Sequence, residues 1–427
     1  MTNIAYRTIG DGVAFRSIPD CKFKTMRISM HLFLPLCWET AAANALLPFL
    51  LSRTSREYPD YTKLGEHLAD LYGAALHADV QKVGDMQVLS ISASGISDRY
   101  ALNGEHISAE LAKLLCSVWF DPLFDADGQF PEDGFQLEKR QTLEMIDSEF
   151  SDKRMYAKQR CTQIMCAQEP YGIPRYGSRE AVEALTREEL KKTWETAIQT
   201  ARIEILAIGD CNPEEIRPVF ETAVANCKRT PRDVHPMQVV KTVSEVKEET
   251  EQMAVAQSKL VMGFRLGASA AEEDAFSSIR LMVAILGGTA HSKLFLNVRE
   301  KLSLCYYCAA GADGNKGIMM VDSGVETQNI SRAREEILAQ LASIRSGDFT
   351  DEEIDAAKMS LCNSYRTVGD YISGLEGWYL VRTFQDQIRT PEETAARISA
   401  VTREEIIAAA KRTALDTVYI LTGGAAQ

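Results

Sequence analysis

Cys305 and Cys308 stand three residues apart in the stretch "REKLSLCYYC". That spacing has two chemical uses, a pair of thiolates on a metal or a dithiol that closes to a disulfide. Either use needs both sulfurs on one side of the chain. In "HSKLFLNVREKLSLCYYCAAGADGNKG", Leu294, Leu296, Val298 and Leu302 fit a helix ending near residues 301–303, and "LCYYCAAGA" follows as a strand running to a Gly-Asn turn. Residues three apart on a regular strand face opposite ways, so the spacing predicts two small apolar residues and neither a metal site nor a redox couple.

The same geometry draws attention to Arg299 and Tyr306, one at the end of the helix and one early in the strand. A guanidinium with five donors and a phenolic hydroxyl, both aimed at the junction, suit a peptide carbonyl or carboxylate. The plainer reading makes Arg299 a surface residue in a local ion pair and Tyr306 a core residue with its hydroxyl satisfied. Both readings stand on sequence alone.

The elements around this junction follow from local patterns. "GVAFRSI" and "FKTMRISMHLFLPL" alternate as strands, and the "PDC" turn between them predicts a hairpin. "ETAAANALLPFLLSRTS" is helical, as is "YTKLGEHLADLYGA", whose Leu64, Leu68, Leu71 and Tyr72 share a face. "ALHADVQKVGDMQVLSISASG" returns to strand alternation about a Gly-Asp turn, and helices follow at "GEHISAELAKLLCSVWF" and "FQLEKRQTLEMIDSEFSDKRMYAKQRCTQIM". Near residue 186, "TREELKKTWETAIQTARIEILAIGD" gives a threonine-capped helix and a short strand; "TREEIIAAAKRTALDTVYILTGG", from Thr402, repeats it. Other pairs recur in the same order, such as "PLFDADGQF…FQLEKRQTLEMI" with "SGDFTDEEIDAAKMSLCNSY". The chain is therefore expected to be α+β, with two similar halves, each a largely antiparallel sheet packed with helices, at about 1–230 and 250–427.

Composition removes several functions. Of 427 residues, 47 are basic and 60 acidic, a net charge of −13 that disfavours nucleic acid and anionic membrane surfaces. No apolar run approaches the length of a membrane span, and "MTNIAYRTIGDGVAFRSIPD" lacks a secretion signal. Ten cysteines scattered without a framework spacing fit a reducing cytoplasm. "ILGGTAH" lacks the spacing and the lysine of a phosphate loop, and neither a "GxSxG" elbow nor a cysteine with a flanking nucleophile motif is present.

Two halves of about 200 residues, with "LGGTAHSKLFLNVREKLSLCYY" in the second, resemble the insulinase/pitrilysin family of zinc metallopeptidases, the inverzincins. The resemblance implies a clam-like arrangement of the halves. It also implies that Arg299 and Tyr306, which match the family's Arg and Tyr seven residues apart, bind substrate beside the zinc. The family's first long helix carries His-x-x-Glu-His, whose histidines hold zinc while the Glu activates water, and a Glu from a later helix completes the site. Aligned on "SRTSREYPD", this chain has Asn44, Leu47 and Pro48 at those positions, and "LEKRQTLEMI" puts Met145 at the third ligand while keeping Glu138. Leucine and proline have no lone pair for zinc, Asn is a poor ligand, and a thioether suits softer metals. No His-x-x-Glu-His occurs anywhere in the chain.

The six histidines offer no replacement by spacing. His67 with Asp70, and His106 with Glu110, have helical spacing that is more often solvated surface. His31 lies in a strand, His77 beyond a turn, His235 beside a proline and His291 after Gly-Gly. The resemblance then implies a non-catalytic subunit, like the degenerate member of bacterial peptidase pairs. Such a subunit carries no cofactor itself, with zinc expected in a partner. It pairs with a zinc-bearing homologue as a heterodimer, or with itself, and helps bind peptides or small proteins. A self-sufficient metallopeptidase with relocated ligands, and a peptide-binding scaffold, are the alternatives.

Overall fold

The computed structural model describes residues 4–232, 237–385 and 388–423. It contains two sheets. The first has six strands, β1 (Ala5–Gly10), β2 (Val13–Pro19), β3 (Thr25–Pro35), β4 (Ala75–Val83), β5 (Met86–Ile96) and β6 (Arg202–Gly209), in the order β1-β2-β6-β3-β5-β4. The second has five, β7 (Lys247–Gln252), β8 (Ser258–Arg265), β9 (Cys305–Asp313), β10 (Ile318–Val325) and β11 (Ala414–Thr422), in the order β7-β11-β8-β10-β9. Each sheet has one parallel pair, β2 with β6 and β7 with β11, and is otherwise antiparallel. The α+β class and the two-halved plan are as the sequence predicts.

One local expectation fails. β2 and β3 do not form a hairpin, because β6 lies between them and pairs with both. The opening hairpin is instead β1 with β2, Ala5 opposite Ser17. Strand β6 arrives from far along the chain, and its buried apolar run "ILAI" outcompetes the near neighbour for the central position.

The repeated ending is built as its sequence suggests. Thr186 caps Arg187–Thr200 by accepting from the Glu189 N–H, and Glu189 returns a bond to the Thr186 N–H. Thr402 and Glu405 do the same for Arg403–Arg412. Each box satisfies donors that a helix start leaves open, and each helix feeds an interior strand of its sheet, β6 or β11.

The described residues form two compact units, and the division is more than one cut near residue 235. One unit takes 4–147, 173–232 and 372–380; the other takes 148–172, 237–371, 381–385 and 388–423. Each unit thus includes a helix from the opposite half of the chain. In the first, Ile372–Leu380 packs on β6 where that strand ends at Gly209. A Cβ at Gly209, whose φ is +101°, would lie 2.5 Å from the Thr25 carbonyl oxygen and 3.1 Å from Ile372 Cδ1, so glycine permits both the turn and the contact. In the second, Lys153–Met165 lays Ala157, Cys161 and Met165 against Val261, Met320 and Tyr419 of the five-stranded sheet.

Candidate functional site

The helix Trp38–Leu51 holds the positions aligned with the zinc motif, and burial decides their character. Asn44, Leu47 and Pro48 are all buried, and Leu47 belongs to the apolar core of the first unit. Asn44 Nδ2 donates to Gln87 Oε1 at 3.1 Å and to Thr40 Oγ1 at 3.3 Å. Gln87 Nε2 donates onward to the Ala41 and Arg175 carbonyls at 2.9 and 2.7 Å. Buried amides are thus spent on one another, as buried polar groups must be. Met145, on Glu132–Ser151, packs against the same core as Leu47.

Glu138, kept on the later helix, is bound to a guanidinium instead of a metal. It is buried, and Arg53 Nη1 donates to its Oε1 at 3.0 Å. Burial pushes this carboxyl's pKa up, and Arg53 pulls against that rise. These residues do not fit a zinc ion: two aligned side chains have no donor atom, one donor is bonded to an amide, and the carboxylate is held by a guanidinium. Among the described residues, no cluster of three or more His, Cys, Asp or Glu is arranged to hold a metal.

In the second unit the chain turns from a π-helical segment, Leu294–Lys301, into β9 through Ser303, whose φ is +49°. β9 is one of the two edge strands of the five-stranded sheet, the other being β7. Arg299 stacks on Phe295, 4.6 Å from the ring centroid, and pairs with its neighbour Glu300 at 3.6 Å. Tyr306 is 77% exposed, so it is no core residue. Among the described residues no hydrogen bond or ion pair joins Arg299 to Tyr306.

The opposite-face expectation for Cys305 and Cys308 needs correction. Ser323 pairs with Cys308 and Gly324 with Tyr307, but Val325 pairs with Cys305, leaving Tyr306 opposite no residue. This is a β-bulge, and one extra residue inverts the facing of everything before it. Cys305 and Cys308 therefore lie on one face, both against the second unit's apolar core, while Tyr306 is turned out to solvent. The Cys308 thiol, as hydrogen-bond partner, holds the Cys305 pKa down at about 7; Ser323 and Arg299 add to the effect. Alternation alone cannot reveal a bulge.

His31 lies in a strand, as its sequence reading has it, but with partners that the reading did not name. His31 of β3 is buried, with Nδ1 2.7 Å from Ser90 Oγ, Nε2 2.9 Å from Ser29 Oγ, and Nε2 3.5 Å from Glu376 Oε1. Arg27 Nε approaches the other oxygen of Glu376 at 2.7 Å. Burial by itself would raise the Glu376 pKa, but hydrogen bonding and charge from His31, with Arg27 and Ser29, hold it at about 2. His77 and Asp79 line the same small cavity of about 120 Å³. Glu376 comes from the inserted helix Ile372–Leu380, so this group is a polar clasp between that helix and β3, assembled from parts far apart in sequence. His106 bonds Glu215 at 2.7 Å rather than Glu110, and His67 stacks on Tyr58; His235 lies outside the described residues.

No helix among the described residues is long and apolar enough to cross a membrane. Residues 184–361 match the family model "Peptidase M16 inactive domain". The chain is 30% identical to the "Probable inactive metalloprotease YmfF" of Bacillus subtilis over 96% of both chains. It is 24% identical, over 45% of its length and 46% of the relative's, to the "Uncharacterized zinc protease YmxG" of the same organism. Among solved structures, a conserved protein from Enterococcus faecalis V583 superposes over 100% of both chains at TM-score 0.92 and 31% identity. The M16 inactive-domain structure from Pseudomonas fluorescens, at 16% identity and TM-score 0.79 over 100% of this chain and 99% of that one, shares the fold. With full-length similarity, the two-sheet architecture and the aligned but ligand-free first helix in agreement, the chain belongs to the M16 peptidase family, that of insulinase and pitrilysin.

Proposed function

We propose that this chain is a catalytically silent peptidase-like subunit, cytoplasmic, that pairs with a zinc-bearing homologue and helps bind peptides for cleavage there. Its own contribution is the junction of Leu294–Lys301 with β9. An edge strand presents backbone donors and acceptors to which an extended peptide can add. The bulge turns Tyr306 outward beside that edge, where its hydroxyl can bond a peptide carbonyl, and Arg299 supplies a fixed positive charge on the preceding turn.

One observation carries the reading. The positions that would ligate zinc hold Leu47, Pro48, a bonded Asn44 and a packed Met145, while Tyr306 stays exposed instead of joining the core.

The test mixes the purified chain with a homologue containing an intact His-x-x-Glu-His and follows peptide hydrolysis. Activity is expected only in the mixture, with a loss in Tyr306→Phe and a larger one in Arg299→Ala. Stoichiometric zinc on this chain alone, removed by chelator together with peptidase activity, would overturn the proposal. Unchanged mixed activity in both variants would remove the two residues from it.

A further inference from the structure

The geometry points to a modification site: Cys305 and Cys308 form a reversible dithiol–disulfide couple, oxidised by a hydroperoxide, that closes across the Tyr306 bulge. On a regular strand these sulfurs would be separated by the sheet itself. The bulge removes that obstacle, since Cys305 opposes Val325 and Cys308 opposes Ser323, two residues apart on β10 and therefore on one face.

The two positions differ in access as an attacking and a resolving thiol should. Cys305 is half-buried against the apolar core, and Cys308 is buried within it. Near Cys305 the Cys308 thiol, Ser323 and the Arg299 guanidinium all favour the thiolate, and its pKa of about 7 leaves much of it ionised at neutral pH. Burial instead pushes Cys116, Cys161, Cys166 and Cys211 up to about 12, which leaves them inert as nucleophiles. Cys21 is exposed.

The step balances as follows. The Cys305 thiolate attacks one peroxide oxygen and the O–O bond breaks, giving Cys305 sulfenic acid and hydroxide. The Cys308 sulfur then displaces the sulfenic oxygen, the S–S bond forms, and the oxygen leaves as water with the Cys308 proton. Overall two thiols and one hydroperoxide give one disulfide, with the two electrons ending on the peroxide oxygens as two waters when the oxidant is hydrogen peroxide. A small dithiol reverses it. The inference does not depend on the role proposed for Tyr306, although that residue lies inside the ring that closes.

Peptide mass mapping of the full chain tests it. Trypsin cuts after Lys301 and Lys316 and releases a peptide, 302–316, that contains these two cysteines and no other. After hydrogen peroxide, quenching with iodoacetamide and digestion, that peptide is expected unalkylated and lighter than its reduced form by two hydrogens, and dithiothreitol before quenching should restore double alkylation. In unoxidised protein, Cys305 should alkylate with a half-maximal rate near pH 7. In Cys308→Ser, peroxide should stop at a Cys305 sulfenic acid trapped by dimedone.

Double alkylation after peroxide, or Cys305 oxidised to sulfinic acid with Cys308 still alkylated, would overturn the couple. Should Cys308→Ser not fold, the wild-type peptide decides the matter by itself.

Discussion

Asn44 and Gln87 share a buried hydrogen bond, Nδ2 to Oε1 at 3.1 Å, at the helix position where the family's zinc motif begins. A ligand position has become a packing device that ties Trp38–Leu51 to β5. Asn44→Leu would leave Gln87 Oε1 with no donor in a dry setting, and the loss should be about 1–3 kcal/mol. Urea denaturation followed by circular dichroism measures it. A neutral result would mean that water or a rearranged Gln87 satisfies the oxygen.

Leu47 is fully buried in the first unit's core, so reinstating the family's glutamate there should be costly. A carboxyl in that setting has its pKa raised by several units, and the cost of ionising it at pH 7 is roughly 4 kcal/mol or more. The sign follows from that direction. Because the folded pKa lies above the unfolded one, Leu47→Glu is least destabilised below about pH 4, where both states are protonated, and loses stability as pH rises toward the folded value. Thermal melts across pH 4 to 8 check this, and a melting temperature that is flat or rises with pH would contradict the burial of the site.

How much was legible in the sequence depended on the range of the interaction. Thr186 with Glu189 and Thr402 with Glu405 are local, three residues apart, and the repeat they mark announced two similar halves. The blank zinc motif was equally plain, since Leu47 and Pro48 lack donors in any fold. What escaped was long-range or aperiodic. Strand β6 entering between β2 and β3 overrode a hairpin that the local pattern favoured. The bulge at Tyr306 broke the strict alternation on which the facing of Cys305 was judged. The clasp around His31 joins Ser29 and Ser90 to Glu376 of an inserted helix, and no window of sequence contains them together.

The two capping boxes provide a check on the repeat. Thr186→Ala and Thr402→Ala each remove an acceptor from a helix start and should each cost about 1 kcal/mol. The boxes share no partner, so the double variant should lose the sum within a few tenths of a kcal/mol if unfolding is a single transition. If the units unfold separately, each substitution should shift only one of two transitions. Differential scanning calorimetry distinguishes these outcomes.

The clasp at Glu376 should dominate part of the acid response. Its carboxyl is held at about 2, against 4.5 for an ordinary glutamate, through His31, Arg27 and Ser29 despite the burial that opposes ionisation. A depressed folded pKa means that the stabilisation is complete above the unfolded value and drains away as pH falls from about 4.5 toward 2. Glu376→Gln keeps the shape but removes the charge. It should lower stability by roughly 2–3 kcal/mol at pH 7, because the buried carboxylate's charge no longer faces the Arg27 guanidinium. The gap to the unsubstituted protein should then narrow below about pH 4.5. Urea midpoints at closely spaced pH values show whether the two curves converge, and parallel curves down to pH 2.5 would mean that the charge on Glu376 does not hold Ile372–Leu380 to β3.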